Sequence, residues 1–146
     1  EHEASFKLLQ ANNIPVCGHL GLQPQSIVEM GGYKVQGKDE QSAQCILKDA
    51  KMLESWGAKA IVIECVPAKL ASKISKTISI PTIGIGAGVG CDGQVLVSYD
   101  MLGINTGHLP KFVKNFLTSN DSIESAVKDY INSVKSQNFP NDEYSY

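Results

Sequence analysis

Ile61–Pro67 reads Ile-Val-Ile-Glu-Cys-Val-Pro, and the rest of the chain is organised around it. Three consecutive β-branched apolar residues mark the buried core of a strand. The run stops on a carboxylate, Glu64, and Pro67 is placed to begin a helix. In α/β folds the groups at the carboxyl end of a strand face the ligand crevice. A carboxylate stripped of water on several sides holds a proton more readily, which suits proton transfer near neutral pH. Glu64 also reads as a surface residue just beyond a strand, and position alone does not choose between the two.

Working outward, Ala43, Ile46, Leu47, Ala50 and Leu53 recur at three- and four-residue spacing and predict a helix over Glu40–Trp56, stopped by Gly57. The central strand follows from Lys59 to Glu64, and a second helix from Pro67 to Thr77. Pro81–Gly86 is a further apolar strand that runs into the glycine-rich Gly84–Gly90, and Gln94–Val97 is a fourth candidate. On the other side, Ala4–Asn12 reads as a helix end and Ile14–Cys17 as a short strand closed by Gly18-His19. Pro24–Met30 reads as a short helix stopped by Gly31-Gly32. The loop Gly31–Lys38, with three glycines, Tyr33 and Lys34, is either a mobile lid or a plain connection. Its lysines Lys34 and Lys38 are placed to meet an anionic ligand. The last helix is marked by an Asp121/Glu124 capping box and the stripe Ile123, Ala126, Val127, Tyr130, Ile131 and Val134. The tail from Asn138 is polar and aromatic, and is expected to pack loosely or on a neighbour.

This alternation of continuous apolar strands with helices predicts a parallel α/β sheet of three or four strands. A complete eight-fold barrel needs about 250 residues, so a barrel reading makes residues 1–146 about half of one. One return resists the scheme: the gap from Gly86 to Gln94 is shorter than the dozen residues a parallel crossover takes. Either that return is extended and lacks its helix, or Gln94–Leu102 is helical; the first is the expectation.

The composition narrows the function classes. The net charge of −2 with 19% charged residues gives no electrostatic footprint for nucleic acid or an anionic membrane. No apolar run has the length of a membrane span and the N-terminus is not a signal peptide. Cys17, Cys45, Cys65 and Cys91 form no C-x-x-C pair, so reduced thiols in an intracellular protein is the simplest reading. The first residue is Glu1 rather than Met, which points to a removed upstream segment.

Candidate polar groups recur after apolar runs: His19, Glu64, the glycines after Ile83, and Asp100. Taken alone, His19 has the reading of a hydrogen-bonded structural histidine ahead of it, and Asp100 that of a helix cap or loop acceptor. The glycines do not make a nucleotide site. Val89 stands where a dinucleotide fingerprint beginning at Gly84 needs Gly or Ala, and no Gly-Lys-Ser/Thr follows. They fit tight turning or close approach of backbone to a ligand. No His/Asp/Glu cluster has a metal-ligand spacing, so no metal ligand is expected in this chain.

The stretches Ile14–Ser26 (IPVCGHLGLQPQS), Gly31–Lys38 (GGYKVQGK), Glu64–Pro67 (ECVP), Ile80–Gly88 (IPTIGIGAG), Cys91–Val97 (CDGQVLV) and Pro110–Phe112 (PKF) together resemble one family closely. It is that of the ketopantoate hydroxymethyltransferases, also called 3-methyl-2-oxobutanoate hydroxymethyltransferases. The resemblance covers nearly the whole chain and corresponds to the family's C-terminal part. It implies a (β/α)₈ TIM barrel of which this chain is roughly the C-terminal half, with the N-terminal strands elsewhere, in a homodecamer. The implied reaction transfers a hydroxymethyl group from 5,10-methylenetetrahydrofolate to 3-methyl-2-oxobutanoate, giving ketopantoate for pantothenate and coenzyme A synthesis. Mg²⁺ holds the keto acid and stabilises an enolate, whose carbon attacks the folate methylene before water completes the product. The family's catalytic glutamate falls on Glu64, and the histidine of its GHLGL motif, near the keto acid, falls on His19.

The resemblance places the metal ligands and other keto-acid contacts on earlier strands, including a Lys-x-Glu element upstream of Glu1. This chain by itself is therefore expected to be inactive and to need the missing half of the barrel. The expected partners are a small keto acid and a folate, with neither nucleic acid nor membrane, and the expected compartment is the cytoplasm, or the mitochondrion in a eukaryote. Two other readings stand beside this one: a barrel lyase or mutase acting on phosphoenolpyruvate or pyruvate, and an inert half-barrel that only binds other subunits.

Overall fold

In the computed structural model, which describes residues 2–28, 32–105, 107 and 109–146, the chain runs α1 (Glu3–Ala11), β1 (Cys17–Gly21), α2 (Glu40–Ser55), β2 (Ala60–Glu64), α3 (Ala68–Ser75), β3 (Thr82–Ile85), β4 (Gly93–Gln94), α4 (Ser98–Met101) and α5 (Ile123–Lys135). Short 3₁₀ turns occupy Pro24–Ser26, Leu117–Ser119 and Asp142–Tyr144. Among the described residues the strands make one four-stranded sheet in the order β1-β2-β3-β4, every neighbouring pair parallel. The predicted α/β class and parallel sheet are what the chain adopts.

The helices begin and end for local reasons. Asp39 caps α2 by accepting the amide of Ser42 at 2.9 Å, and Gly57 closes the helix with a φ of +93° that favours glycine. Pro67 is the N-cap of α3, where the residue's missing N–H costs nothing. The last helix is capped by Ser122 and Ser125 rather than by Asp121 and Glu124: the Ser122 hydroxyl accepts the Ser125 amide and the Ser125 hydroxyl accepts the Ser122 amide, each at 3.1 Å. The reciprocal pair sits one residue downstream of the predicted box, with the Ser125 hydroxyl in the N3 role that a glutamate or glutamine usually fills.

α2 and α3 lie on one face of the sheet. Leu47 and Ala50 of α2 and Leu70, Ala71 and Ile74 of α3 pack on Leu20, Ile61 and Ile63. Ile61, Ile63 and Ile74 are fully buried, each worth about 1.5–3 kcal/mol in apolar surface removed from water. A second cluster gathers Cys65, Ile85, Leu96, Met101, Phe112, Phe116, Ala126 and Phe139 around the carboxyl ends of β2 and β3.

Four details differ from the sequence reading. The first strand is Cys17–Gly21 rather than Ile14–Cys17. Ile14 is used in closing α1, its amide donating to Leu9 O at 3.0 Å, and Pro15 has no amide to give a ladder. Gly18 is no stop: a Cβ there would lie 2.7 Å from Leu53 Cδ1, so the glycine lets β1 approach α2. Second, Pro24 starts only a three-residue 3₁₀ turn; the end of the predicted Pro24–Met30 helix falls on 29–30, and its Gly31 stop on 31, outside the described residues. Third, the return from β3 to β4 is extended and helix-free, as expected. β4 itself, however, is two residues long rather than Gln94–Val97, because α4 begins at Ser98. Asp92 holds this return: its Oδ2 accepts Thr82 N at 2.8 Å and Thr82 Oγ1 at 2.9 Å. Fourth, the tail packs on this chain's own core. Phe139 is buried edge-on against Phe116 at 5.3 Å between centroids, and Tyr146 O accepts the Ala68 amide at 2.8 Å.

Candidate active site

Parallel register decides which side chains meet. His19 lies level with Val62, and Val62 with Ile83; Gly21 lies level with Glu64, and Glu64 with Ile85. Side chains alternate along a strand, so His19, Val62, Glu64 and Ile83 share the face turned away from α2 and α3. Diagonal neighbours on that face, His19 and Glu64 meet: Nε2 of the ring lies 3.0 Å from Oε2 of the carboxylate. Their side chains are 33% and 14% exposed respectively, so the pair is sheltered yet reachable. An ionised carboxylate can only accept, so Nε2 carries the proton between them, and Oε1 is left for another donor.

The backbone around Glu64 is held from three directions. Glu64 O accepts the Leu22 amide at 2.8 Å, Cys65 N donates to Ile85 O at 2.9 Å, and Cys65 O accepts the Gln36 amide at 2.8 Å. Cys65 itself has φ +49°, a left-handed conformation that costs about 1–2 kcal/mol in a side-chain-bearing residue. That turn ends the strand immediately after the carboxylate. Burial, with the neighbouring Glu64 charge second, pushes the Cys65 thiol up to about 12. Gly21 (φ +88°) fits here because it lacks a side chain: a Cβ would stand 2.0 Å from Glu64 O. Gln23 secures the other half of the pair, donating its amide N–H to His19 O at 3.1 Å.

Of the predicted candidates, the fold brings His19 and Glu64 together. Glu64 is the last residue of its strand, as read; His19 is in mid-strand rather than beyond a strand end. Asp100 is buried in α4 and accepts the side-chain amide of Asn105, the local acceptor role. Lys34 and Lys38 are exposed, and of their loop it is Gln36 that touches the site's backbone. The glycines after Ile83 approach the chain's own side chains: a Cβ on Gly86 would meet Phe112 at 2.7 Å and one on Gly88 would meet Ala68 at 2.4 Å. Gly21, Gln23, Gln36 and Cys65 were missed. The Gly18/Gly21 spacing was the available signal for the first, whereas the others act through backbone contacts that have no side-chain pattern.

The described residues do not by themselves fit a magnesium site. Among them there is no group of three or more His, Cys, Asp or Glu side chains. A single carboxylate bonded to an imidazole falls short of the near-octahedral oxygen set that this ion takes.

Comparison with known proteins places the chain in one family. Residues 2–142 match the family model described as ketopantoate hydroxymethyltransferase. The whole chain is 65% identical to 56% of the 3-methyl-2-oxobutanoate hydroxymethyltransferase of Ruthia magnifica subsp. Calyptogena magnifica. It is 62% identical to 56% of the protein of that name from Vesicomyosocius okutanii subsp. Calyptogena okutanii. Over 144 residues, 99% of this chain, it is 56% identical to 52% of the Carboxydothermus hydrogenoformans protein of the same name. The chain spans about half the length of the curated relatives it matches. With the family model matched across nearly every residue, including both members of the His19–Glu64 pair, the chain belongs to the ketopantoate hydroxymethyltransferase family.

Proposed function

We propose that this chain is the C-terminal half of a (β/α)₈ barrel whose complete form transfers a hydroxymethyl group from 5,10-methylenetetrahydrofolate to 3-methyl-2-oxobutanoate, with Glu64 as the general base. The observation that carries the assignment is the Glu64 carboxylate at the end of β2, one oxygen held by His19 at 3.0 Å, on the face opposite the helices.

The barrel reading is supported by topology. A doubly wound sheet reverses strand order at a switch point and carries helices on both faces. Here the order is sequential and α2 and α3 share one face, as in a barrel wall. The relative of which 146 residues are 56% has about 260 residues (146 divided by 0.56), close to the roughly 250 of a full barrel. The half-barrel leaves the outer edge of β1 without a ladder partner among the described residues, and the preceding strand of the barrel fills that place.

For the chemistry, the hydrogen on C3 of the keto acid is weakly acidic, and a positioned carboxylate in a sheltered site can remove it. Oε1 of Glu64 takes that proton while His19 keeps Oε2 hydrogen-bonded. The carbon freed of its proton then attacks the methylene carbon of the folate and opens one of its two C–N bonds. Water displaces the other nitrogen, which releases tetrahydrofolate and leaves the hydroxymethyl group on C3. His19 lines the keto-acid pocket. Magnesium is proposed as the cofactor of the whole protein. Its ligands belong to residues outside this chain.

The test is deuterium exchange at C3 of 3-methyl-2-oxobutanoate by the full-length protein. Glu64→Gln keeps the shape and removes the base, so exchange falls by about 10²-fold or more. Near-normal exchange in a folded Glu64→Gln protein moves the role to another residue.

A further inference from the structure

Resting on the reading of Glu64 as base, we propose that His19 is a positioning residue: its Nε2–H fixes Oε2 of Glu64 and thereby presents Oε1 to the substrate's C–H bond. Three observations carry this. The two groups are diagonal neighbours on one face, brought there by a five-residue parallel register rather than by flexible loops. The Nε2 to Oε2 distance is 3.0 Å, within hydrogen-bonding range. And each side chain's backbone is itself tied, His19 O by the Gln23 amide at 3.1 Å and Glu64 O by the Leu22 amide at 2.8 Å. A glutamate carboxylate on its three rotatable bonds samples several rotamers; one oxygen pinned to a strand-borne ring removes most of that freedom before substrate arrives.

The same bond restricts what else His19 can do. A neutral imidazole has one donor and one acceptor. With Nε2 donating to Glu64, Nδ1 is an acceptor and has nothing to give a substrate carboxylate. Donation to both partners requires the imidazolium, whereas positioning requires only the neutral ring. The two roles therefore call for different atoms and are separable by choice of substitution. In His19→Gln the amide nitrogen reaches the place of Nε2 and can still donate to Glu64; in His19→Asn it reaches only the place of Nδ1.

The experiment uses the full-length protein and reads C3 deuterium exchange and the KM for 3-methyl-2-oxobutanoate in both variants, with folding checked by thermal melting. His19→Asn lowers the exchange rate by about 10²-fold with KM changed less than about threefold, the cost of a base out of line. His19→Gln recovers at least tenfold of that loss. In the unsubstituted protein, ¹⁵N-resolved NMR places the ring proton on Nε2, a readout that no variant's folding can confuse. A rate equal in the two variants, a raised KM with unchanged turnover, or a bare Nε2 overturns the proposal. Exchange that survives in Glu64→Gln overturns this proposal and the base assignment together. A Glu64→Gln protein without exchange, beside equally impaired His19 variants, removes the positioning role alone.

Discussion

Replacing Gly21 with alanine tests how tightly the sheet holds Glu64, the proposed base. The new Cβ would stand 2.0 Å from Glu64 O and 2.8 Å from Val66 Cγ1, and contacts under 3.0 Å are essentially never seen. The Glu64 carbonyl must therefore retreat by at least 1.0 Å, the difference between that floor and the present distance. Its bond from the Leu22 amide, now 2.8 Å, does not survive such a shift and takes with it about 0.5–1.5 kcal/mol. The backbone adds its own cost, since φ is +88° at this position and a left-handed residue with a side chain costs about 1–2 kcal/mol. Together these give a destabilisation of about 1.5–3.5 kcal/mol. In a chain of this family's full length that lowers the melting temperature by about 3–14 °C. The catalytic effect is separate. A carboxylate displaced by about 1 Å loses on the order of 10² in rate, so C3 exchange should fall even well below the melting temperature. Thermal melting and deuterium exchange on the full-length Gly21→Ala protein measure the two effects. A variant with the parent's melting temperature and exchange rate would refute the account of Gly21 as the residue that lets β1 close on Glu64.

Two other expectations rest on the second cluster. Phe116 is 1% exposed and meets Tyr130 and Phe139 edge-on at 5.4 and 5.3 Å, so Phe116→Ala should cost about 3–5 kcal/mol in denaturant unfolding; a loss under 1 kcal/mol would mean that the tail does not anchor there. With its pKa pushed up to about 12, Cys65 should alkylate on the order of 10³-fold more slowly at pH 8.5 than the exposed Cys17 and Cys45, read by peptide mass spectrometry. The sign for stability follows: the unfolded thiol ionises near its ordinary 9.0 and the folded one does not until about 12, so the Cys65 contribution is intact below pH 9 and is lost as pH rises through that window. Constant stability across it, once the other titrating groups are matched by a Cys65→Ala control, would contradict the burial argument.

The elements whose signal is carried by side-chain period were legible. The stripe Ala43–Leu53 gave α2 almost to the residue, and Ile61–Ile63 gave the central strand with Glu64 at its end. What escaped was decided by backbone partners. Nothing in Ile14-Pro15-Val16 announces that Ile14 is consumed by the close of α1, so the first strand was placed three residues early and His19 outside it. The capping box was misplaced because a serine pair substitutes for the acidic one. The tail's aromatic residues carry no period at all, and their burial depends on Phe116 and Phe112, which are remote in sequence.

Glycine was the residue most open to misreading, and its correction bears on where a ligand sits. Gly84, Gly86, Gly88 and Gly90 look in sequence like a loop shaped around a small molecule. In the fold each faces a side chain of this same chain: Gln94, Phe112, Ala68 and Ser72 respectively, all within 3.0 Å of where a Cβ would be. Their lack of side chains serves the close packing of the helix-free β3–β4 return on α3 and on the second cluster, which leaves no gap at those positions. Gly21 differs only in what it lies against, the carbonyl of Glu64. A substrate is therefore excluded from the side of these glycines that the Cβ positions mark. What stays partly open at this end of the sheet is the part of the face that bears His19, Glu64 and Ile83, each half-buried, opposite the layer of α2 and α3; Val62 on the same face packs on the second cluster. The polar pair and the accessible surface thus coincide on the concave side of the proposed barrel, where the missing strands would close around them.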